Sequence, residues 1–233
     1  MIVFILLVLR DLSLKQEYRS DRDDVVSEFF IPCLTNSIQY DRTIEFISVK
    51  SLSTLTFGLE NIQDHHAKIR LVSGHRFNTS DLNAIIKLFD QHNTSRLNGR
   101  LYLDKKISNL IQDSKIRQLK KIIEDFKLEV KVAIPNSEYV DGAFEERMGI
   151  FRDTNDDLVA FSGTSNVTFD AENRNFESVD VFTSWDDKSR VETKVKNFEN
   201  LWTNKTNYVE IYDLVYAEKK NLLKYTTEWA VYR

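Results

Sequence analysis

A mixed α/β sandwich, with helices laid over a central sheet, is the fold class this sequence predicts, and three observations predict it. Alternating, β-branched runs such as T-I-E-F-I-S-V and L-E-V-K-V-A-I are separated by longer stretches whose apolar residues recur at helical spacing. Strands that alternate with helices of ten or more residues bury their sheet under those helices. The chain has 233 residues, 42% of them hydrophobic, enough for one substantial core. Two prolines and six glycines leave no material for a long disordered linker. Residues 1–233 therefore read as a single domain, with 1–20 an N-terminal lead and strand and 136–185 the region richest in motif residues.

In chain order, Ile2–Leu9 is an apolar run far shorter than the ~20 residues a membrane helix needs. No basic residue precedes it and no small-residue cleavage site follows, so it reads as a buried strand or hydrophobic lead. Asp21–Phe30 starts a helix, capped by Ser20 or Asp21, with Val25, Val26, Phe29 and Phe30 inward and Pro32 limiting its continuation. Thr43–Val49 is a strand, Leu52–Ile62 a helix, Ile69–Val72 a short buried strand. A helix opens at Thr79, Ser80 or Asp81 and runs through Phe89, with Leu82, Ile85, Ile86 and Phe89 on one face. Arg100–Lys106 fits a strand or a loop, Asp113–Phe126 a helix, Leu128–Ile134 an alternating strand. Beyond the motif region come a strand at Val179–Trp185, a helix at Ser189–Trp202, a strand at Tyr208–Tyr212 and a helix at Tyr216–Leu223.

Charge and cysteine content exclude several classes of function. A net charge of −4 and a pI near 5.7 rule out a general basic coat, so any contact with DNA must be local. The single cysteine, Cys33, allows neither an internal disulfide nor a cysteine-rich zinc site, which suits a reducing, cytoplasmic setting.

The chemistry concentrates in Phe144–Glu177. There F-E-E-R-M-G-I-F-R-D, a polar hairpin, L-V-A-F-S-G-T-S-N-V-T and N-R-N-F-E-S-V-D-V-F read as three strands. On a strand, Glu145 and Arg147 point to one side, Glu146 and Met148 to the other. Gly149, Gly163 and the small residues Ser162, Thr164 and Ser165 allow backbone to approach closely.

This segment resembles the second half of a phospholipase D superfamily domain, of the nuclease-like kind fused to bacterial restriction and phage-defence helicases. The family pattern is H-x-K on one strand, G-S-x-N at the end of the next, and an acid on a third. G-T-S-N supplies Gly163, Thr164 and Asn166, and N-F-E-S supplies Glu177, while Glu145 and Arg147 stand where the histidine and lysine belong. L-R-D-L-S-L-K-Q-E-Y-R-S-D, F-F-I-P-C-L-T-N-S, K-I-R-L-V-S-G-H and F-E-N-L-W extend the resemblance over nearly the whole chain. It implies a mixed β-sheet flanked by helices on both faces, and a phosphodiester site that needs neither metal nor other cofactor. It also implies a homodimer, because one motif makes half of a two-motif site. DNA, and a helicase domain or subunit, are the partners it implies, with no membrane.

In that family the histidine takes the phosphoryl group covalently, while lysine and asparagine hold the non-bridging oxygens. Arg147 could keep the cationic role, and Thr164 and Asn166 theirs. Glu145 cannot simply replace the histidine: a carboxylate about 4 Å from a phosphate charge is repelled by ~4 kcal/mol at an effective dielectric of about 20. The expected outcome is an internal ion-pair network of Glu145, Arg147 and Glu177 in a degenerate site. The alternative is an active, metal-independent nuclease with an unconventional nucleophile; a lipid-directed phospholipase is a third reading.

Outside the motif, Lys115, Arg117, Lys120 and Lys121 on one helix form either a solvated face or a patch for DNA phosphates. His65 and His66 read as a solvated turn, His75 as a strand-end residue with a conceivable phosphate-facing role, and His92 as a helix C-terminal residue. Asp153 is expected to be solvated near a turn. Phe182, Trp185, Phe198 and Trp202 are expected to pack rather than to stack on bases.

Overall fold

The structure is a computed structural model, which describes residues 8–48, 68–78, 82–83, 85–86, 89, 128–136, 138, 142–163 and 176–226. Among these the strands form an eight-stranded mixed sheet. They are β1 (Glu17–Arg19), β2 (Gln39–Ile44), β3 (Lys68–Gly74), β5 (Leu128–Pro135), β6 (Met148–Arg152), β7 (Leu158–Gly163), β8 (Ser178–Thr183) and β9 (Val209–Asp213), in the order β1-β8-β7-β6-β2-β3-β5-β9. The pairs β2–β3 and β3–β5 are parallel and the remaining neighbours antiparallel. A separate parallel pair joins β4 (Arg76–Asn78) to β10 (Lys224–Thr226).

Both faces of the sheet are covered, as expected. One carries a cluster in which Phe29, Phe30, Cys33 and Leu34 meet Tyr40, Phe151, Phe161, Ile69 and Val132, and Leu82, Ile85, Leu214 and Ala217 join it. Leu82 and Ile85 are the inward residues expected of the helix before Phe89. On the opposite face the helix α2 (Lys188–Trp202) lays Val191, Phe198, Leu201 and Trp202 over Val72, Ala133, Met148, Ile150 and Ala160. Each Val, Leu, Ile, Met or Phe side chain among them contributes about 1.5–3 kcal/mol by leaving water. Phe198 and Trp202 stack at 5.9 Å, while Phe182 and Trp185 are half-buried against the two clusters, so these four aromatics pack.

Several boundaries differ from expectation, for local physical reasons. The first helix begins near Val25, and Pro32 lies inside it: a π-helical segment (Val26–Phe30) precedes the α-helical α1 (Ile31–Thr35). The wider π turn relieves the clash between a proline ring and the carbonyl four residues back. The strand expected at Thr43–Val49 is displaced to Gln39–Ile44, where it pairs on both sides. The last helix, α3, spans Leu214–Lys219, because Asp213 caps it through Val215 N–H (3.0 Å) and Tyr216 N–H (3.2 Å). The expectations for Leu52–Ile62, Arg100–Lys106 and Asp113–Phe126 lie outside the described residues.

Asp153 corrects the expectation of a solvated residue. It is buried, and its carboxylate accepts hydrogen bonds from the N–H groups of Leu9 (2.9 Å), Asn155 (2.8 Å) and Asp157 (3.0 Å). It closes the β6–β7 hairpin and ties the N-terminal 3₁₀ turn (Leu9–Asp11) to it. Asp153→Ala would leave several donors without an acceptor, at a cost of about 3 kcal/mol. A urea-unfolding midpoint unchanged in that variant would contradict this role.

Candidate functional site

The sheet topology brings the motif region to one rim. Strands β2, β3 and β5 end there, the antiparallel strands β6 and β8 begin there, and β7 ends there. Glu45 just past β2, Arg147 just before β6, Gly163 at the end of β7 and Glu177 just before β8 are therefore neighbours in space, although the first and last are far apart in sequence.

Arg147 is paired, and its partner is Glu45 rather than Glu145 or Glu177. The Arg147 carbonyl accepts the Gly163 N–H at 3.2 Å, which fixes the start of the G-T-S-N segment against the arginine's backbone. Arg147 Nε is buried and lacks a hydrogen-bond partner. Glu145 is exposed and, among the described residues, forms no ion pair. The expected shared strand explains the error: β6 starts only at Met148, so the alternation rule does not hold Glu145 beside Arg147.

Glu177 is buried. Its backbone is clamped by Ser20: its N–H donates to Ser20 Oγ (2.9 Å), and its carbonyl accepts from the Ser20 N–H (3.0 Å) and hydroxyl (3.2 Å). Its charge acts on Arg42, a residue that the sequence reading passed over. Arg42 is wholly buried, with its guanidinium 4.6 Å from the Phe161 ring centroid and 6.0 Å from that of Phe30. Burial, above all, pushes its pKa down; Tyr40 and Glu177 oppose that shift and Arg147 adds to it. Gly149 makes room for this stacking, since a Cβ there would stand 2.4 Å from the Phe161 ring and 3.3 Å from Arg42 Cδ. A signal for Arg42 did exist in the sequence: Q-Y-D-R-T-I places two charges inside a strand, where each must find a partner or a ring.

The rim therefore holds two guanidinium groups and two carboxylates, Arg42, Arg147, Glu45 and Glu177, with Glu145 outside in solvent. Thr164, Asn166 and the basic residues Lys115, Arg117, Lys120 and Lys121 lie outside the described residues, as do His65, His66 and His92. No group of three His, Cys, Asp or Glu side chains is gathered for a metal among the described residues. Cys33 is buried, and burial pushes its thiol pKa up, out of the reactive range. No helix among the described residues is long and apolar enough to cross a membrane.

No family model matches the chain, and no curated protein does. Among solved structures, NucT from Helicobacter pylori superposes with a TM-score of 0.45 at 11% identity, over 84% of this chain and 97% of that one. A likeness that loose assigns no residue and no activity. What stands on the chain's own geometry is a mixed α/β fold with helices on both faces and a charged rim at the ends of its parallel strands.

Proposed function

We propose that this chain is a phospholipase D-like nuclease-fold domain of bacterial DNA processing or phage defence whose site no longer forms the covalent intermediate. On this reading it holds DNA, as a homodimer, beside a helicase domain or subunit. On the family resemblance Thr164 and Asn166 act as hydroxyl and amide donors, and Lys115, Arg117, Lys120 and Lys121 meet DNA phosphates.

The observation that carries the reading is the state of the motif's first element. Glu145, in the nucleophile's position, is exposed and forms no ion pair among the described residues, while Arg147 is engaged by Glu45. A carboxylate left without a neutralising cation repels a phosphodiester, whereas an amide or hydroxyl donor does not. Binding can thus survive where the displacement is lost. The test is incubation of the purified chain with single- and double-stranded DNA, with and without EDTA. The expected result is retention of DNA in a mobility shift, weakening steeply with salt, and no cleavage. Cleavage that persists in EDTA would overturn the degenerate site, and an absence of any shift at low salt would overturn the DNA-holding role.

A further inference from the structure

We propose a second oxyanion seat, for a phosphate group, at the corner where β3 turns into β4, formed by Arg76 and Lys224. Three observations locate it there. The first is register: Lys224 lies directly opposite Arg76 in the parallel β4–β10 pair, so two exposed cations stand side by side. Like charges directly opposite each other on neighbouring strands repel and weaken the pairing. Neither side chain forms an ion pair among the described residues, in a chain whose net charge is −4. An anion between them turns that repulsion into attraction.

The second observation is His75, the residue between β3 and β4. It is 3% exposed, and its Nδ1 has no hydrogen-bond partner. Its carbonyl accepts the Lys224 N–H at 2.8 Å, which fixes the imidazole's backbone to the same corner. The third is the set of charges that act on the ring. Burial, first, and then Lys224 and Arg76 push its pKa down to about 4, and among the described residues no acid opposes them. The His75 imidazole thus senses both cations and is neutral at pH 7.

A phosphate held by Arg76 and Lys224 would offset their field at His75, so the ring would take up a proton more readily when the seat is filled. Linkage then requires the reverse: the seat binds an anion more tightly when His75 is protonated. This seat is separate from the Arg147 rim, and its test does not depend on the DNA-holding reading. The phosphate could belong to a nucleic-acid backbone or to a small free anion, and two probes distinguish these.

The experiment follows the His75 ring and the Arg76 and Lys224 amides by NMR across pH 4–8, in sodium sulfate and in sodium chloride of equal ionic strength. Sulfate is chosen because its charge is constant over that range. A short single-stranded oligonucleotide is the second probe. For a free-anion seat, the His75 pKa rises by about half a unit or more in sulfate, equivalent to roughly threefold tighter anion binding to the protonated form, and the two amides shift at pH 7. For a backbone-phosphate seat, the oligonucleotide alone produces these changes. The double variant Arg76→Gln/Lys224→Gln, altered only at exposed positions, should raise the His75 pKa without any anion and abolish the response to either probe. If neither probe moves the wild-type signals, or if the double variant responds as the wild type does, the seat does not exist.

Discussion

Arg70→Met is expected to destabilise the domain by about 3–5 kcal/mol, the cost of stripping one partner from a buried ion pair. Arg70 on β3 is bidentate to Asp41 on the adjoining strand β2, with Nε to Oδ1 at 2.7 Å and Nη2 to Oδ2 at 2.6 Å. A third bond reaches Glu199 of α2 at 2.5 Å, and the guanidinium lies 5.0 Å from the Phe198 ring and 5.3 Å from that of Trp202. One side chain therefore joins the two central strands to the helix that covers them. Without it, the buried Asp41 retains, among the described residues, only the Gln39 amide, at 2.8 Å. For a chain of this length the loss corresponds to roughly 10 °C in melting temperature. The paired change Asp41→Leu/Arg70→Met removes both charges and should recover most of the stability, because apolar residues often replace a buried ion pair without loss. Urea unfolding of the single and double variants measures the coupling, and a cost below about 1 kcal/mol for Arg70→Met would show that the pair is not structural.

The same buried pair explains what the sequence concealed. T-I-E-F-I-S-V alternates better than Q-Y-D-R-T-I, yet the latter is β2, because Asp41 has Arg70 and Arg42 has the Phe161 ring. Propensity yields to tertiary partners that no local pattern contains. Where side chains answer only to the sheet, the pattern was legible: β3, β5, β9 and α2 lie within a residue or two of where periodicity puts them. The candidate site was legible as a region and not as a network. Its strands converge on one rim, but the partner of Arg147 is 102 residues away, and the start of β6 excludes Glu145. Neither fact follows from spacing along one segment.

The second large effect is expected at Gly163, the first residue of G-T-S-N. A Cβ there would stand 2.0 Å from the Ser178 carbonyl oxygen and 2.8 Å from Val179 Cα. Both are backbone atoms of β8, with Gly163 in register with Val179, so no rotamer change can relieve the contact. Gly163→Ala should therefore push β8 off β7 at a cost of about 3 kcal/mol, the upper end of overpacking effects. The displaced strand begins beside Glu177, so the Ser20 clamp on Glu177 and its influence on Arg42 are lost together, and on the proposed function DNA retention should fall with stability. Gly142→Ala is the control: it is exposed, a Cβ there meets nothing within 4 Å, and its cost should stay within about 0.5 kcal/mol. Gly149→Ala separates the two roles of small residues at the rim. Its Cβ meets the Phe161 ring rather than strand backbone, so it should disturb the Arg42 stacking while β7 and β8 stay paired. If Gly163→Ala unfolds in urea at the wild-type midpoint, the close approach of β7 to β8 that sets the rim is not a feature of the folded chain.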